Sequence, residues 1–359
     1  MNEIKLEVNL QSKKRLTRWN IFIFTFLLVF FLTVIQKINP DFKNLSLVSP
    51  IPAQNQTFKE ILPKLQSVPN DFKLKKESSI IETTFASSAF DNASSYIAVD
   101  FDTGTVIAEK NISKPLPIAS LTKIMTAVVA LDLAKSQEQI VISRNATNEE
   151  PTKIGVVENQ TMTVEELLSA MLMTSANDAA AALKDGVNNK YKSPIFIDSM
   201  NKKASIIGLK NTNFSNPQGF DNSKNYSSTE DLAILTRYAL KNYSTIKNIV
   251  DKDYRFIAAN NNHKQFDLYN WNGLLGVYPG VSGVKIGNTD EAGYTTVVMS
   301  ERNGKKIIVV LLGTPGVLER DLWASQLLDF AFQKSANLVP VSVSEVSLRQ
   351  KYSTWKYWN

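Results

Sequence analysis

The chain has 359 residues, a formal net charge of +6, no cysteine and a single histidine. These counts exclude thiol nucleophiles, zinc fingers, iron–sulfur sites and histidine-rich metal sites, so neither a metal ion nor a cofactor is predicted. A Ser-His-Asp triad would have to use His263, which lies in a polar segment and is predicted to be a surface residue. No nucleic-acid-binding module accompanies the basic charge, so nucleic acid is not a predicted partner.

The N-terminal region carries the signature of a membrane anchor. Residues 1–18 supply a charge of +3 and are predicted to be a cytoplasmic basic segment. Residues 19–36 are apolar and uncharged, and they are predicted to be a transmembrane signal-anchor. A cleaved signal peptide is the alternative, but no small-residue cleavage site follows. Either interpretation exports the main domain, and the first makes this a single-pass protein of the cell membrane with that domain outside the cytoplasm.

Three further regions follow the apolar segment. Residues 37–85 contain five prolines among polar residues and are predicted to be a semi-extended spacer. Residues 86–336 hold the periodic patterns and are predicted to be the main domain. Residues 337–359 form a tail that is too short for another domain.

In chain order, the main domain begins with a β-hairpin, 96–100 and 106–109, joined by the turn Asp102-Thr103-Gly104. Helices are then predicted at 120–134, at 163–172 with a capping pattern, at 179–183 after a break at 175–178, and at 228–240. Strands follow at 283–286, 295–300 and 307–312, and a last amphipathic helix at 321–333. Short connections between strands indicate an antiparallel sheet, so the fold class is α+β.

Ser120 and Lys123 carry the central chemical pattern. A serine hydroxyl needs an adjacent base, and lysine is the obvious substitute where histidine is effectively absent. Positions i and i+3 share one face of a helix, so the two side chains would adjoin at the first turn of the helix. A lysine base must be neutral, which requires a lowered pKa. The same spacing occurs at 199–202 and 244–247 with no chemistry around it, so alone the pattern also fits a helix cap with a solvated lysine.

Two more patterns follow in a particular order. Ser175-Ala176-Asn177 interrupts the helices, and Lys285-Ile286-Gly287 lies on a predicted strand. The order S-x-x-K, S-x-N, K-x-G is that of penicillin-binding proteins and serine β-lactamases. Flanking stretches specifically resemble the D-alanyl-D-alanine carboxypeptidases, and the likeness runs from about residue 95 to 332. These stretches are 117–127, 172–180, 208–212, 226–228 and 283–294.

The resemblance implies a five-stranded antiparallel sheet packed between helices beside a helical subdomain. It implies that Ser120 attacks the bond between two terminal D-alanines of a peptidoglycan stem peptide, with Lys123 as its base. Ser175 would relay a proton to the leaving amine, and Asn177 would hold the substrate amide. β-Lactam antibiotics would be covalent inhibitors.

The resemblance also implies a binding site for the substrate carboxylate and oxyanion. Lys285 would lower the pKa of Lys123 and attract the carboxylate, and Arg320, before the final helix, would bind it. Backbone N–H groups of Ser120 and Asn288 would form the oxyanion hole, and Gly287 would allow close approach of the backbone.

This chain departs from the family pattern at Ile286, where relatives carry a hydroxyl residue that hydrogen-bonds the carboxylate. Three alternatives remain beside the carboxypeptidase, and Ile286 supports the last of them. The first is a β-lactamase, which needs a deacylating glutamate; the acidic residues of segment 221–230 match the carboxypeptidase pattern instead. The others are an endopeptidase acting on cross-links and an inactive relative that binds peptidoglycan.

Overall fold

The computed structural model describes residues 26–27, 63–66, 68, 70–76 and 88–356. The predicted transmembrane segment 19–36 therefore lies outside the described residues, except for the helical pair Phe26 and Leu27. Among the helices that the structure describes, none has the length and apolar character needed to cross a bilayer.

The described strands are β1 (Lys75–Lys76), β2 (Ser95–Asp100), β3 (Thr105–Lys110), β4 (Leu116–Pro117), β5 (Gln139–Val141), β6 (Thr161–Thr163), β7 (Tyr226–Ser227), β8 (Tyr254–Ile257), β9 (Phe266–Tyr269), β10 (Val281–Thr289), β11 (Gly293–Arg302) and β12 (Lys305–Thr314). The described helices are α1 (Thr122–Leu133), α2 (Arg144–Thr147), α3 (Val164–Met173), α4 (Asn177–Tyr191), α5 (Phe196–Ile207), α6 (Thr229–Asn242), α7 (Ser244–Val250), α8 (Val317–Ala336) and α9 (Glu345–Tyr352).

The main sheet has the strand order β1-β3-β2-β12-β11-β10. Its last five strands are all antiparallel, which confirms the predicted antiparallel core. Both faces are buried, because alternate residues of β12 enter two different apolar clusters. Ile308 and Val310 pack with the helical subdomain, whereas Ile307 and Val309 pack with α8. Helices thus cover both faces of the sheet, and the α+β prediction is confirmed.

The sheet is mixed, which corrects the prediction of five strands. The two-residue strand β1 pairs in parallel with β3 and comes from the region predicted to be a spacer. Leu65 and Phe72 of the same region are buried in the main core, and Lys203 of α5 donates to the Gln66 carbonyl at 2.7 Å. This part of the chain is packed on the domain and is not a free tether, because its two apolar side chains gain burial there.

Local signals account for the helices and hairpins that were predicted. Thr163 and Glu166 form the capping box that begins α3, and the Ser228 hydroxyl accepts from Asp231 N at the start of α6. Asn303 and Gly304 both have positive φ angles, which a tight two-residue hairpin turn requires. The observed β10, β11 and β12 extend two or more residues beyond their predicted bounds.

One side chain contradicts its predicted environment. His263 is 4% exposed, although its neighbours in the sequence are polar. Its two ring nitrogens lie 2.8 Å from Asn260 Nδ2 and 2.7 Å from the Lys264 carbonyl oxygen. Hydrogen bonds from the same polar turn thus allow the ring to be buried.

Candidate active site

Ser120 lies on a short 3-10 helix, Ala119–Leu121, that leads into α1. The prediction that it occupies the first turn of an α-helix is thus corrected to a tighter turn that precedes it. Ala119 has a φ of 50°, a left-handed conformation that costs an alanine about 1–2 kcal/mol. Such strain is tolerated where the surrounding packing enforces it, and it commonly marks functional sites.

Two glycines make that packing possible. A β-carbon on Gly219, whose φ is +93°, would lie 2.0 Å from the Ala119 carbonyl oxygen. A β-carbon on Gly287 of β10 would lie 2.8 Å from Ser120 N and 2.9 Å from Thr295 Oγ1. Neither position has room for a side chain, so a loop and a strand clamp the backbone of Ser120 from two directions. The predicted close approach at Gly287 is present.

Lys123 lies directly beneath Ser120. Its Nζ donates to Ser120 Oγ at 2.7 Å, to Asn177 Oδ1 at 2.8 Å and to the Gln218 carbonyl at 2.7 Å. These three polar neighbours hold the nitrogen in one place, and in the neutral amine two of them accept from Nζ while the Ser120 hydroxyl donates to its lone pair. The predicted neighbours Ser120 and Lys123 are therefore brought within direct hydrogen-bonding distance.

Burial lowers the pKa of Lys123 to about 7, because the interior disfavours its charged form. The nearby carboxylates of Glu149 and Asp178 act in the opposite direction and raise it. Lys285 was expected to produce the shift, but burial is the dominant cause. A lysine with a pKa close to neutral can accept a proton from a serine hydroxyl at physiological pH.

Ser175 and Asn177 come from the break between α3 and α4. Ser175 has a φ of 59°, which turns the chain sharply after α3. Asn177 N donates to the Thr152 carbonyl at 2.7 Å, and its Nδ2 donates to the Glu150 carbonyl at 3.1 Å. The Asn177 side chain thus links Lys123 to the loop that follows α2.

Asp178 fixes the same loop from the other side. Its carboxylate accepts from the backbone N–H groups of Ile154, Gly155 and Val156. Burial raises the pKa of Asp178, and these backbone hydrogen bonds oppose the shift by favouring the ionised form. The first turn of α4 therefore positions one wall of the site.

A cavity of about 610 Å³ opens over Ser120. The predicted residues that line it are Ser120, Ser175, Asn177, Ile286 and Asn288. The other lining residues are Pro151, Thr152, Lys153, Gln218, Gly219, Phe220, Trp271, Thr289, Tyr294 and Val317. Strand β10 is at the edge of the sheet, so its outer backbone groups face this cavity and can pair with an extended peptide.

Lys285 is buried behind the cavity, and its Nζ donates to the Ile286 carbonyl at 2.9 Å. Burial lowers the pKa of Lys285 well below its usual value, and the positive charges of Lys123 and Arg320 lower it further. Repulsion between two nearby buried cations adds to the free-energy cost of keeping both lysines protonated.

Arg320 is not among the residues lining the cavity. It lies within the first turns of α8, not before the helix, and it is fully buried. Its guanidinium forms two hydrogen bonds of 2.8 Å with the carboxylate of Asp321. Its Nη1 has no hydrogen-bond partner among the described residues and is inaccessible. In this arrangement the Arg320 side chain is not accessible from the cavity, and its predicted contact with the substrate carboxylate stays a prediction.

Ile286 belongs to a small apolar cluster with Trp271 and Trp355, and Val317 and Tyr352 pack against it. The tail that was predicted from 337 onward thus contributes to this end of the site. It folds as α9 and places Trp355 against the residue that departs from the family pattern.

The sequence analysis did not assign several residues that the structure places at the active site. Gln218 acts through its backbone carbonyl, so its side chain gives no signal. Gly219 directly follows it, and a glycine in an otherwise irregular segment was the available clue to a close approach. Trp271 and Thr152 lie in segments without periodicity, and their positions depend on the folding of distant parts of the chain.

Gly219→Ala is expected to lower the rate of acylation by penicillin at least about tenfold, because the methyl group would displace Ala119 and Ser120. Gly208→Ala is the matched control, since Gly208 has a similar φ of +83° but no atom within 4 Å of a built β-carbon. Both variants carry the same left-handed strain. Equal acylation rates in the two variants would contradict the proposed clamp.

A family model described as D-alanyl-D-alanine carboxypeptidase matches residues 82–316. D-alanyl-D-alanine carboxypeptidase DacF of Bacillus subtilis is 35% identical over 272 residues, which cover 71% of this chain and 69% of that protein. D-alanyl-D-alanine carboxypeptidase DacA of Haemophilus influenzae is 31% identical over 251 residues, covering 67% of this chain and 62% of that protein. This chain thus spans slightly less than two thirds of the length of the second relative.

Solved structures give the same result. The crystal structure of the Streptomyces K15 DD-transpeptidase superposes with a TM-score of 0.62 at 29% identity, covering 67% of this chain and 97% of that chain. The D-alanyl-D-alanine carboxypeptidase DacD from Francisella tularensis superposes with a TM-score of 0.60 at 28% identity, covering 67% of this chain and 70% of that chain. With its transpeptidase-like α+β fold, this chain belongs to the D-alanyl-D-alanine carboxypeptidase family of serine peptidases.

Proposed function

We propose that Ser120 removes the terminal D-alanine of peptidoglycan stem peptides through an acyl-enzyme. Ser120 Oγ attacks the carbonyl carbon of the penultimate D-alanine, and Lys123 accepts the hydroxyl proton. Backbone N–H groups of Ser120 and Asn288 stabilise the oxyanion. Ser175 relays a proton to the departing D-alanine amine, and water then hydrolyses the ester.

The observation that carries this proposal is the 2.7 Å contact between Lys123 Nζ and Ser120 Oγ. It combines a nucleophile with a base whose pKa burial lowers to about 7. Without the shift, a lysine would be protonated at neutral pH and unable to accept the proton. Asn177 supports the pair by fixing Lys123 and presents its amide at the cavity wall, where it can hold the substrate amide.

The remaining residues of the predicted site were assigned to binding of the substrate carboxylate. Lys285 supplies positive potential from behind the cavity when it is protonated, and Gly287 and Asn288 offer the backbone of β10. Ile286 contributes no hydroxyl, and Arg320 would have to leave Asp321 to contact a carboxylate. Carboxylate recognition is therefore expected to be weaker here than the family pattern implies.

We further propose that the protein is held in the cell membrane by segment 19–36, with residues 1–18 in the cytoplasm. Residues 86–336 then form the catalytic domain outside the cytoplasm, and 337–359 is its C-terminal tail. The support is the uncharged apolar run that follows five basic residues.

The proposal is tested by release of D-alanine from a pentapeptide ending in D-Ala-D-Ala and by covalent labelling with a fluorescent penicillin. The full chain is expected to do both, with a lasting penicillin adduct. Among the described residues, no aspartate or glutamate lines the cavity to speed deacylation. Rapid catalytic turnover of penicillin would instead indicate a β-lactamase, and failure of both labelling and release would indicate an inactive binding protein.

Ile286→Thr is expected to raise D-alanine release or leave it unchanged. A restored hydroxyl could donate to the substrate carboxylate, worth up to about 1.5–3 kcal/mol for a charged partner, or roughly ten- to a hundredfold. Ile286→Val is the matched control, because it keeps the branched shape without a hydroxyl. A large loss with threonine but not with valine would show that this position does not face the carboxylate.

A further inference from the structure

The lone pair of Lys123 must face Ser120 before it can accept a proton, and the neighbours of its nitrogen decide where it points. A neutral amine has two N–H groups and one lone pair. Asn177 Oδ1 at 2.8 Å and the Gln218 carbonyl oxygen at 2.7 Å accept from the two N–H groups. The remaining direction is that of Ser120 Oγ, at 2.7 Å. The orientation of the base therefore depends on both acceptors staying in place.

The two acceptors are held in different ways. Asn177 belongs to the first turn of α4, and its amide nitrogen also donates to the Glu150 carbonyl. Gln218 contributes a main-chain oxygen from segment 214–225, which lies outside the helices and strands. Because no regular hydrogen-bond ladder fixes this oxygen, its position depends on the hydrogen bonds of the neighbouring peptide groups.

Asn216 orients the peptide group that contains the Gln218 oxygen. The carbonyl of Gln218 and the N–H of Gly219 belong to one planar unit and point in opposite directions. Gly219 N donates to Asn216 Oδ1 at 2.7 Å, and Phe220 N donates to the same oxygen at 3.0 Å. These contacts lie within one segment, so they shape the turn without attaching it to the rest of the domain.

Thr126 attaches this turn to α1. It lies three residues after Lys123 on the same helix, and it is fully buried. Its hydroxyl donates to the Pro217 carbonyl at 2.8 Å, whereas the Thr122 carbonyl is more distant at 3.4 Å. A hydroxyl has one proton to donate, and the shorter contact is the one it serves. Helix α1 thus holds two successive carbonyl groups, that of Pro217 through Thr126 and that of Gln218 through Lys123.

A second contact between α1 and segment 214–225 lies at the far end of the segment. Asn225 Nδ2 donates to Thr122 Oγ1 at 3.0 Å, and Ser215 N donates to Asn225 Oδ1 at 3.2 Å. Asn225 is seven residues after Gln218, so this contact anchors the ends of the segment. The hydrogen bond of Thr126 lies directly beside the carbonyl that Lys123 uses.

We propose that Thr126 is a positioning residue for the general base. Its hydroxyl fixes the Pro217 carbonyl, the adjacent Gln218 carbonyl then stays on Lys123, and the lone pair of the amine stays directed at Ser120. Thr126 does not line the cavity over Ser120, so it acts through the loop and not on the substrate. This inference rests on the proposed function, because it requires Lys123 to accept the Ser120 proton.

Two substitutions of similar size separate the hydroxyl group of Thr126 from its volume. Thr126→Val replaces the hydroxyl by a methyl group, and Thr126→Ser keeps the hydroxyl and loses a methyl group. Single-turnover acylation of the full chain by penicillin is expected to be about tenfold slower with Thr126→Val, since small misplacements of a reacting group cost one to two orders of magnitude. With Thr126→Ser it should stay within about twofold of the unsubstituted rate. The rate constant counts only molecules that acylate, so an unfolded fraction does not change it.

The pH profile of acylation gives a readout that a loss of stability does not move. The Gln218 carbonyl accepts from Lys123 and so favours its protonated form, which means that displacing this carbonyl lowers the pKa of Lys123. The midpoint of the profile should therefore move to lower pH with Thr126→Val and stay in place with Thr126→Ser. The charged groups that act on Lys123 are kept in both variants, namely Glu149, Asp178 and Lys285.

Thr236→Val is the matched control. Thr236 is fully buried on α6, as Thr126 is on α1. Its hydroxyl has no hydrogen-bond partner among the described residues. The same chemical change is thus made where the hydroxyl holds no loop, and both the acylation rate and the midpoint should equal those of the unsubstituted protein.

An unchanged rate and midpoint with Thr126→Val would overturn the role of Thr126. Equal slowing by Thr126→Val and Thr126→Ser would overturn it as well, because packing and not the hydroxyl would then be responsible. Both results leave the unsubstituted protein active. If the unsubstituted protein neither acylates with penicillin nor releases D-alanine, the proposed function fails and this inference fails with it, so the two failures are distinguishable.

Discussion

Ser120→Ala is expected to abolish D-alanine release and covalent labelling by penicillin, with a loss of roughly 10³-fold or more. The substitution removes Oγ, the only protein atom that is proposed to form a covalent bond with the substrate. Its structural cost should be small, because the described contact of the Ser120 hydroxyl is the hydrogen bond from Lys123. Lys123 retains Asn177 and Gln218 as acceptors. Mass spectrometry after incubation with penicillin gives the direct measurement.

The chain supplies its own control for this experiment. Ser244 and Lys247 repeat the S-x-x-K spacing, and both are exposed on α7. Ser244→Ala should leave labelling and release unchanged. If Ser120→Ala were labelled as fully as the unsubstituted protein, another residue would be the nucleophile and the proposed mechanism would be wrong.

The comparison of Ser120 with Ser244 also explains what the sequence alone could establish. The spacing of one motif does not distinguish a nucleophile from a helix cap. The order of three motifs does, because S-x-x-K, S-x-N and K-x-G in this order match the pattern of penicillin-binding proteins and serine β-lactamases. The structure brings the first two into one hydrogen-bonded group and buries Lys285 behind them.

Elements with local signals were predictable, and those that depend on tertiary contacts were not. The α3 capping box and the turn at Asn303 are encoded within four residues. Leu65 was assigned to a spacer because its neighbours are polar and proline-rich, yet it is buried in the core. No local pattern records a contact with residues more than a hundred positions away.

The residues of the active site likewise fall into those that the sequence identified and those whose contacts depend on the tertiary structure. The order of the three motifs identified Ser120 and Lys123, whereas the pairing of Arg320 with its neighbour Asp321 is visible only in the structure. Tyr352 of α9 donates to Asp321, which holds the carboxylate in place. Asp321 directly follows Arg320, but the residue order alone does not indicate that its carboxylate accepts two hydrogen bonds from the guanidinium.

Lys123→Met is expected to lower acylation by penicillin roughly 10³-fold or more, because it removes the base and keeps the volume of the side chain. The variant also leaves Asn177 Oδ1 and the Gln218 carbonyl without their donor, at about 1–3 kcal/mol for each buried acceptor. Lys247→Met, at the exposed repeat of the motif, is the control and should acylate normally. Thermal unfolding of each variant separates loss of the base from loss of the fold.

The pH dependence of the unsubstituted protein tests the same role without a substitution. The pKa of Lys123 is lowered to about 7 by burial, and only the neutral amine can accept the Ser120 proton. Below that pH the acylation rate should therefore rise about tenfold per pH unit, and above it the rate should level off. The rate is measured in single-turnover experiments with penicillin, so that deacylation does not contribute.

Two outcomes would contradict this role for Lys123. A rate that keeps rising to pH 10 would mean that the lysine retains its usual pKa of 10.5, and that burial does not neutralise it. A rate that is constant from pH 5 to 9 would mean that no group with a pKa near 7 takes the proton.

Because Glu149 and Asp178 raise the pKa of Lys123, Glu149→Gln should shift the midpoint of the profile to lower pH. That shift would place the titrating group close to Glu149, as Lys123 is, since removing a negative charge lowers the pKa of the groups near it.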